Sequence, residues 1–114
     1  MSAVSLVRCP SYDRESCYQA VSRAVGLLGG MGNFVSSGQK VLVKPNILHA
    51  SEPDKAVVTH PDMVYAVCRL LKESGCKVLI AESPGAGSIY SPSSLRKAYE
   101  TVGYAKLASD LGVE

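Results

Sequence analysis

Apolar residues along the chain fall into short continuous runs and longer stripes at helical spacing, and the two kinds alternate. Val4–Cys9 (V-S-L-V-R-C) reads as a first strand, closed by Pro10. Asp13 or Ser11 then caps a helix from about Arg14 to Leu28, with Cys17, Ala20, Val21, Ala24, Val25 and Leu28 on one face. Gly29 and Gly30 stop it, and M-G-N-F-V-S-S-G follows as a connector. Lys40 to Lys44 form a second strand. The irregular loop from Pro45 to Thr59 is longer than most strand-to-helix connections, and loops of that length are commonly functional. T-H-P-D opens the next helix, with Pro61 at its first position, Asp62 in its first turn, and a stripe of Val64, Val67, Cys68 and Leu71. Lys77 to Ala81 make a third strand, and E-S-P-G-A-G-S a glycine-rich loop. Ser91 and Pro92 start a helix carrying Leu95, Ala98, Tyr99 and Val102, and a last turn or two carries Leu107 and Leu111.

The order β-α-β-α-β-α-α predicts an α/β fold: three layers around a mainly parallel sheet with right-handed β-α-β crossovers. Leu42, Val43, Val78, Leu79 and Ile80 lie in unbroken apolar runs, which in a parallel sheet are covered on both faces. Three strands make a narrow sheet, and L-G-V-E stands where a fourth should begin. Residues 1–114 are therefore expected to be the N-terminal part of a single α/β domain in a longer protein. An incomplete sheet would leave an edge or face exposed and favour self-association.

Composition narrows the function classes. The chain is 46% hydrophobic and 19% charged with a net charge of +2, ordinary for a globular protein and short of the clustered basic face of a nucleic-acid binder. Arg8, Asp13, Arg14, Glu15 and Arg23 interrupt any signal-peptide core, and no apolar run reaches the roughly 18 residues of a membrane span. A cytoplasmic location without nucleic-acid or membrane partners is the expectation. The four cysteines, Cys9, Cys17, Cys68 and Cys76, fit no zinc or cluster spacing and read mainly as small buried hydrophobes. Cys9, at a strand end, stands apart.

A parallel sheet sets all its carboxyl ends on one edge, where ligands bind. That rule gathers Lys44, Pro45 and Asn46, the helix start at Thr59 and His60, and Glu82, Ser83, Pro84 and Gly85. Lys44 offers a compact cation for phosphate or carboxylate. Gly85 and Gly87 could shape an anion-binding nest of N–H groups, Asn46 both donates and accepts, and Thr59 and Ser83 add hydroxyls. His60 and Glu82 are the candidates for proton transfer. Each has a structural alternative. Lys44 could be a solvated strand end, His60 a pre-proline cap, Glu82 a partner for Lys44, and the glycine loop a plain turn.

Together V-L-V-K-P-N-I-L, A-V-V-T-H-P-D-M-V and K-V-L-I-A-E-S-P-G-A-G-S resemble the family named domain of unknown function 362. Lys44, Pro45, Asn46, Thr59, His60, Pro61, Glu82, Ser83, Pro84 and Gly85 fall on its motif positions. The resemblance implies a considerably longer protein, many members continuing into a ferredoxin-like segment whose cysteines hold 4Fe-4S clusters. It suggests an iron–sulfur-associated redox protein that binds an anionic small molecule and receives electrons from that segment or a separate carrier. A non-redox module for a phosphorylated or carboxylated metabolite is the alternative. This stretch should hold no cluster itself, since a 4Fe-4S site needs four converging thiolates. Cys9 and Cys76 are expected at opposite sheet edges, about 15 Å or more apart.

Overall fold

The computed structural model describes residues 2–85 and 90–114. Helix α1 (Arg14–Leu27) begins where Asp13 turns its carboxylate back to the Ser16 N–H, the capping bond its position in sequence predicts. Strand β1 (Lys40–Val43) leads through a long loop to α2 (Pro61–Glu73), and β2 (Lys77–Ile80) lies parallel to β1 with Val41 opposite Val78 and Val43 opposite Ile80. Helices α3 (Pro92–Val102) and α4 (Tyr104–Leu111) follow, hinged at Gly103, whose φ of 95° falls in the left-handed region. The chain is an α/β fold built on one β1–α2–β2 unit.

Turn chemistry fixes the unit's register. Gly75 follows α2 with φ 81°, and the Cys76 N–H closes back to the Leu71 carbonyl while that of Gly75 reaches Lys72. A side chain at Gly75 would also run into Ser37, so the α2–β2 turn needs glycine on two counts. The Gly75 carbonyl then accepts from the Gly38 N–H at 2.9 Å, which sets the two strand entries abreast.

The core forms where α2 and α4 meet one face of this pair. Val64, Cys68, Leu71, Val78, Val102, Tyr104 and Leu107 are buried together with Ile47 and Cys76, and Val41, Val43 and Ile80 pack against them. Helix α1 lies along α2, joined at its rim by Arg69, whose guanidinium sits 3.7 Å over the Tyr18 ring and bonds to Glu73.

Two expectations change. Val4–Cys9 forms no paired strand: the sheet among the described residues has two strands. The alternation survives in its burial, with Ser5, Val7 and Cys9 half-covered, but Val4 and Leu6 are 92% and 95% exposed. A strand is defined by its neighbour's hydrogen bonds, and among the described residues this segment has none to meet. Second, the pleat sends Leu42 to the face opposite the core, where it is 57% exposed. Of the five residues expected inside, Val78 is buried, Val43, Leu79 and Ile80 are half-buried, and Leu42 is not. At L-G-V-E the expectation of a strand meets real pairing. The Glu114 N–H donates to the Val78 carbonyl at 3.2 Å, and the Ile80 N–H donates to the Glu114 carbonyl at 2.7 Å.

The two faces predict different mutational costs. Leu107→Ala removes a side chain that is 1% exposed and should destabilise the fold by about 2–4 kcal/mol in a denaturant titration. Leu42→Ala should cost no more than about 0.5 kcal/mol. Equal losses would mean that the second face is covered.

Candidate functional site

Hydrogen bonding between the two strands continues past their ends. The Ala81 N–H donates to the Val43 carbonyl and the Gly85 N–H to that of Ile47, each at 3.1 Å. The K-P-N-I and E-S-P-G segments therefore leave the sheet side by side. Lys44 and Glu82 meet there, with Nζ 2.6 Å from Oε2. The lysine is 67% exposed while the glutamate side chain is 7% exposed, so the carboxylate is the anchor and the ammonium stands at the rim. The other carboxylate oxygen accepts the Ser83 N–H at 2.8 Å. Lys44 above all, then the Ser83 N–H, holds the Glu82 carboxyl below its ordinary 4.5. Glu82 is thus ionised at neutral pH and a weak base, better suited to orienting Lys44 than to moving protons.

Asn46 and Thr59 form a second group, which closes the long loop. The Asn46 N–H donates to the Thr59 hydroxyl at 3.0 Å, its carboxamide to the Val57 carbonyl at 3.1 Å, and the Thr59 N–H to the Asn46 carbonyl at 3.0 Å. Ile47 and Val58 make an antiparallel bridge beside them.

His60 serves as the cap of α2. Its Nδ1 accepts the Asp62 N–H at 3.2 Å, which places the proton of the neutral ring on Nε2. Its ring stacks on Tyr12, centroids 4.2 Å apart at 13°. These two rings line a cleft of about 530 Å³ with Glu52, Pro53, Asp54 and Ala56, and none of Lys44, Asn46, Glu82 and Ser83 lines it. The Gly85 N–H is engaged by Ile47, and Gly87 lies outside the described residues.

Two tyrosines that sequence reasoning gave no role hold the edge together. The Tyr99 hydroxyl accepts the Glu82 N–H at 2.6 Å and donates to the Glu82 carbonyl at 2.9 Å. Tyr104, fully buried, donates to the Thr59 carbonyl at 2.6 Å and lies 3.4 Å from that of Asn46. Burial pushes its hydroxyl up to about 12, so it remains a donor throughout the physiological range. Their only sequence signal was an aromatic with a polar tip on an otherwise apolar helix face.

Cys9 and Cys17 flank Ser11, Cys68 is buried on α2, and Cys76 donates to the Ser36 carbonyl. Among the described residues no three His, Cys, Asp or Glu side chains group as metal ligands.

The sequence profile of the family described as domain of unknown function (DUF362) matches residues 41–114, which is more than half of the chain and includes every one of these edge residues. The chain belongs to this family. It is also 37% identical over 113 residues to a thylakoid-associated protein of Synechocystis, an alignment covering 99% of this chain and 33% of that protein. The chain thus spans about a third of the length of that curated relative. No solved structure matches. No helix among the described residues of this DUF362 chain is long and apolar enough to cross a membrane.

Two measurements check the site. Tyr104→Phe leaves the Thr59 carbonyl short of its donor and should cost about 1–2 kcal/mol in thermal or denaturant unfolding. Glu82 should titrate below 4.5 by NMR, and Lys44→Met should move it upward. Because the folded value is depressed, the stability it contributes is present above pH 4.5 and lost as pH falls through the folded value. An unshifted Glu82 in the unmutated protein would dissolve the pair.

Proposed function

We propose that the carboxyl edge of the β1–β2 pair binds an anionic small molecule, with Lys44 as its cation. On this reading the chain is the N-terminal α/β part of an iron–sulfur-associated redox protein working in the reducing cytoplasm. The observation that supports it is the geometry of Lys44: a rim ammonium tethered at 2.6 Å by a covered carboxylate. An ammonium has three donors, and Glu82 takes one. The tether also removes much of the rotamer freedom that binding an anion would otherwise cost. Ser83, whose N–H bonds to Glu82 on the same exit segment, would offer its hydroxyl as a further donor for a phosphoryl or carboxyl oxygen. His60 Nε2 would handle protons only for a substrate that reaches the Tyr12 cleft.

The redox part of the proposal draws on the family resemblance and on the further two-thirds of length in the Synechocystis relative. Clusters would lie outside residues 1–114, in a ferredoxin-like segment, with electrons passing from there or from a separate carrier. The same edge serves the alternative, a module that binds a phosphorylated or carboxylated metabolite without redox chemistry.

Titration with inorganic phosphate and with succinate, followed by amide NMR, tests the site. The expected result is perturbation of Lys44–Asn46 and Glu82–Gly85, lost in a folded Lys44→Met variant. Equal binding by that variant, or perturbation elsewhere, would reject Lys44 as the cation. Iron and sulfide analysis of the natural full-length protein, purified anaerobically, separates the readings: cluster-level iron supports the redox protein, and an iron-free protein leaves the metabolite module.

A further inference from the structure

The loop between the end of the N-terminal segment and α1 brings two thiols together. Cys9 Sγ lies 3.3 Å and Cys17 Sγ 3.8 Å from the same acceptor, the Ser11 carbonyl oxygen. Cys17 is fully buried at the start of α1, whereas Cys9 is half-exposed and opens on a cleft of about 270 Å³ lined by Pro10, Ser11, Tyr12 and Met63. Neither thiol belongs to the edge around Lys44. The other two cysteines are differently placed: Cys68 is fully buried on α2, and Cys76 bonds to Ser36.

We propose that Cys9 and Cys17 are a reversible dithiol–disulfide pair, and that oxidation locks the Tyr12 loop against His60. The oxidant is a small-molecule disulfide of the glutathione class. Cys9, as its thiolate, attacks one sulfur of that disulfide, forming a mixed disulfide and releasing one thiolate. Cys17 then attacks the Cys9 sulfur, expelling the second thiolate, which takes the Cys17 proton. The protein loses two hydrogen atoms and the disulfide is reduced to two thiols, so electrons balance. Burial first, and then the hydrogen bond that Cys17 donates to Cys9, push the Cys17 thiol up to about 12. Burial is the larger cause and remains in the mixed disulfide, so Cys17 gives up its proton to the departing thiolate as it attacks.

The consequence follows from what the closed loop carries. Between the two cysteines stand Tyr12, stacked on His60, and Asp13, which caps α1. Tyr12 lines both the cleft beside Cys9 and the cleft beside His60. A disulfide removes loop freedom chiefly from the less ordered states of this segment, so the stacked arrangement gains population.

The chain reduced under anaerobic conditions, then equilibrated against graded mixtures of oxidised and reduced glutathione, provides the test. Arg14 lies between the cysteines, so trypsin parts them unless a disulfide joins the two peptides. Expected is a Cys9–Cys17 cross-link, reversed by dithiothreitol, with Cys68 and Cys76 still alkylated after unfolding. Cys17→Ala should trap a glutathione adduct on Cys9, and Cys9→Ser, at the more exposed position, should give no cross-link. The His60 imidazole resonances should shift on oxidation of the unmutated chain and not of Cys9→Ser. Linkage of any other pair, a lasting glutathione adduct on unmutated Cys9, or four free thiols throughout would overturn the pair. Unmoved His60 resonances in a cross-linked chain would overturn its coupling to the loop.

Discussion

The arrangement depends on a parallel hydrogen-bond ladder that does not stop where its strands do. Four residue pairs define β1 and β2, but donation from Ala81 to Val43 and from Gly85 to Ile47 carries the register on into the loops. Prolines sit at both exits, Pro45 and Pro84, and both are buried. A proline lacks an N–H: Pro84 falls between Ala81 and Gly85, whose N–H groups donate to the ladder, and Pro45 between Val43 and Ile47, whose carbonyls accept, so regular pairing ends without orphaning a donor. This is why Lys44 and Glu82, distant in sequence, face each other at 2.6 Å.

Around that ladder the polar groups serve the backbone before any ligand. Asn46, Thr59 and Tyr104 satisfy one another and fold the long loop down over the core, with Ile47 buried at its base. Tyr99 does the same for Glu82. Each of these side chains uses hydrogen-bonding capacity that a solvent-facing binding residue would keep, which sets them apart from Lys44. The loop is long because it must bury Ile47 and return Thr59 to the sheet edge.

The sequence made the β1–α2–β2 unit legible because its signals were local and agreed: apolar runs, Pro61 at the helix start, and Gly75 behind it. It also brought Lys44, Glu82 and Ser83 together, through the topology of parallel strands. Three things were hidden. Val4–Cys9 has strand composition, yet pairing is a property of two segments and composition speaks for one. Tyr99 read only as part of an apolar helix face and Tyr104 was not singled out, and which carbonyl a hydroxyl reaches depends on tertiary docking. The approach of Cys9 to Cys17 arises from the path of the Ser11–Asp13 cap, and their eight-residue spacing matches no motif.

If the exits of β1 and β2 are held side by side, the bonds that hold them can be observed singly. Nitrogen–carbonyl scalar couplings across hydrogen bonds, measured by NMR on the isotope-labelled chain, should connect Ala81 to Val43 and Gly85 to Ile47. Both amides should also exchange slowly with solvent. Absent couplings, with a Gly85 amide exchanging as fast as an open loop, would mean that the two segments part after the strands, and Lys44 and Glu82 would not form one site.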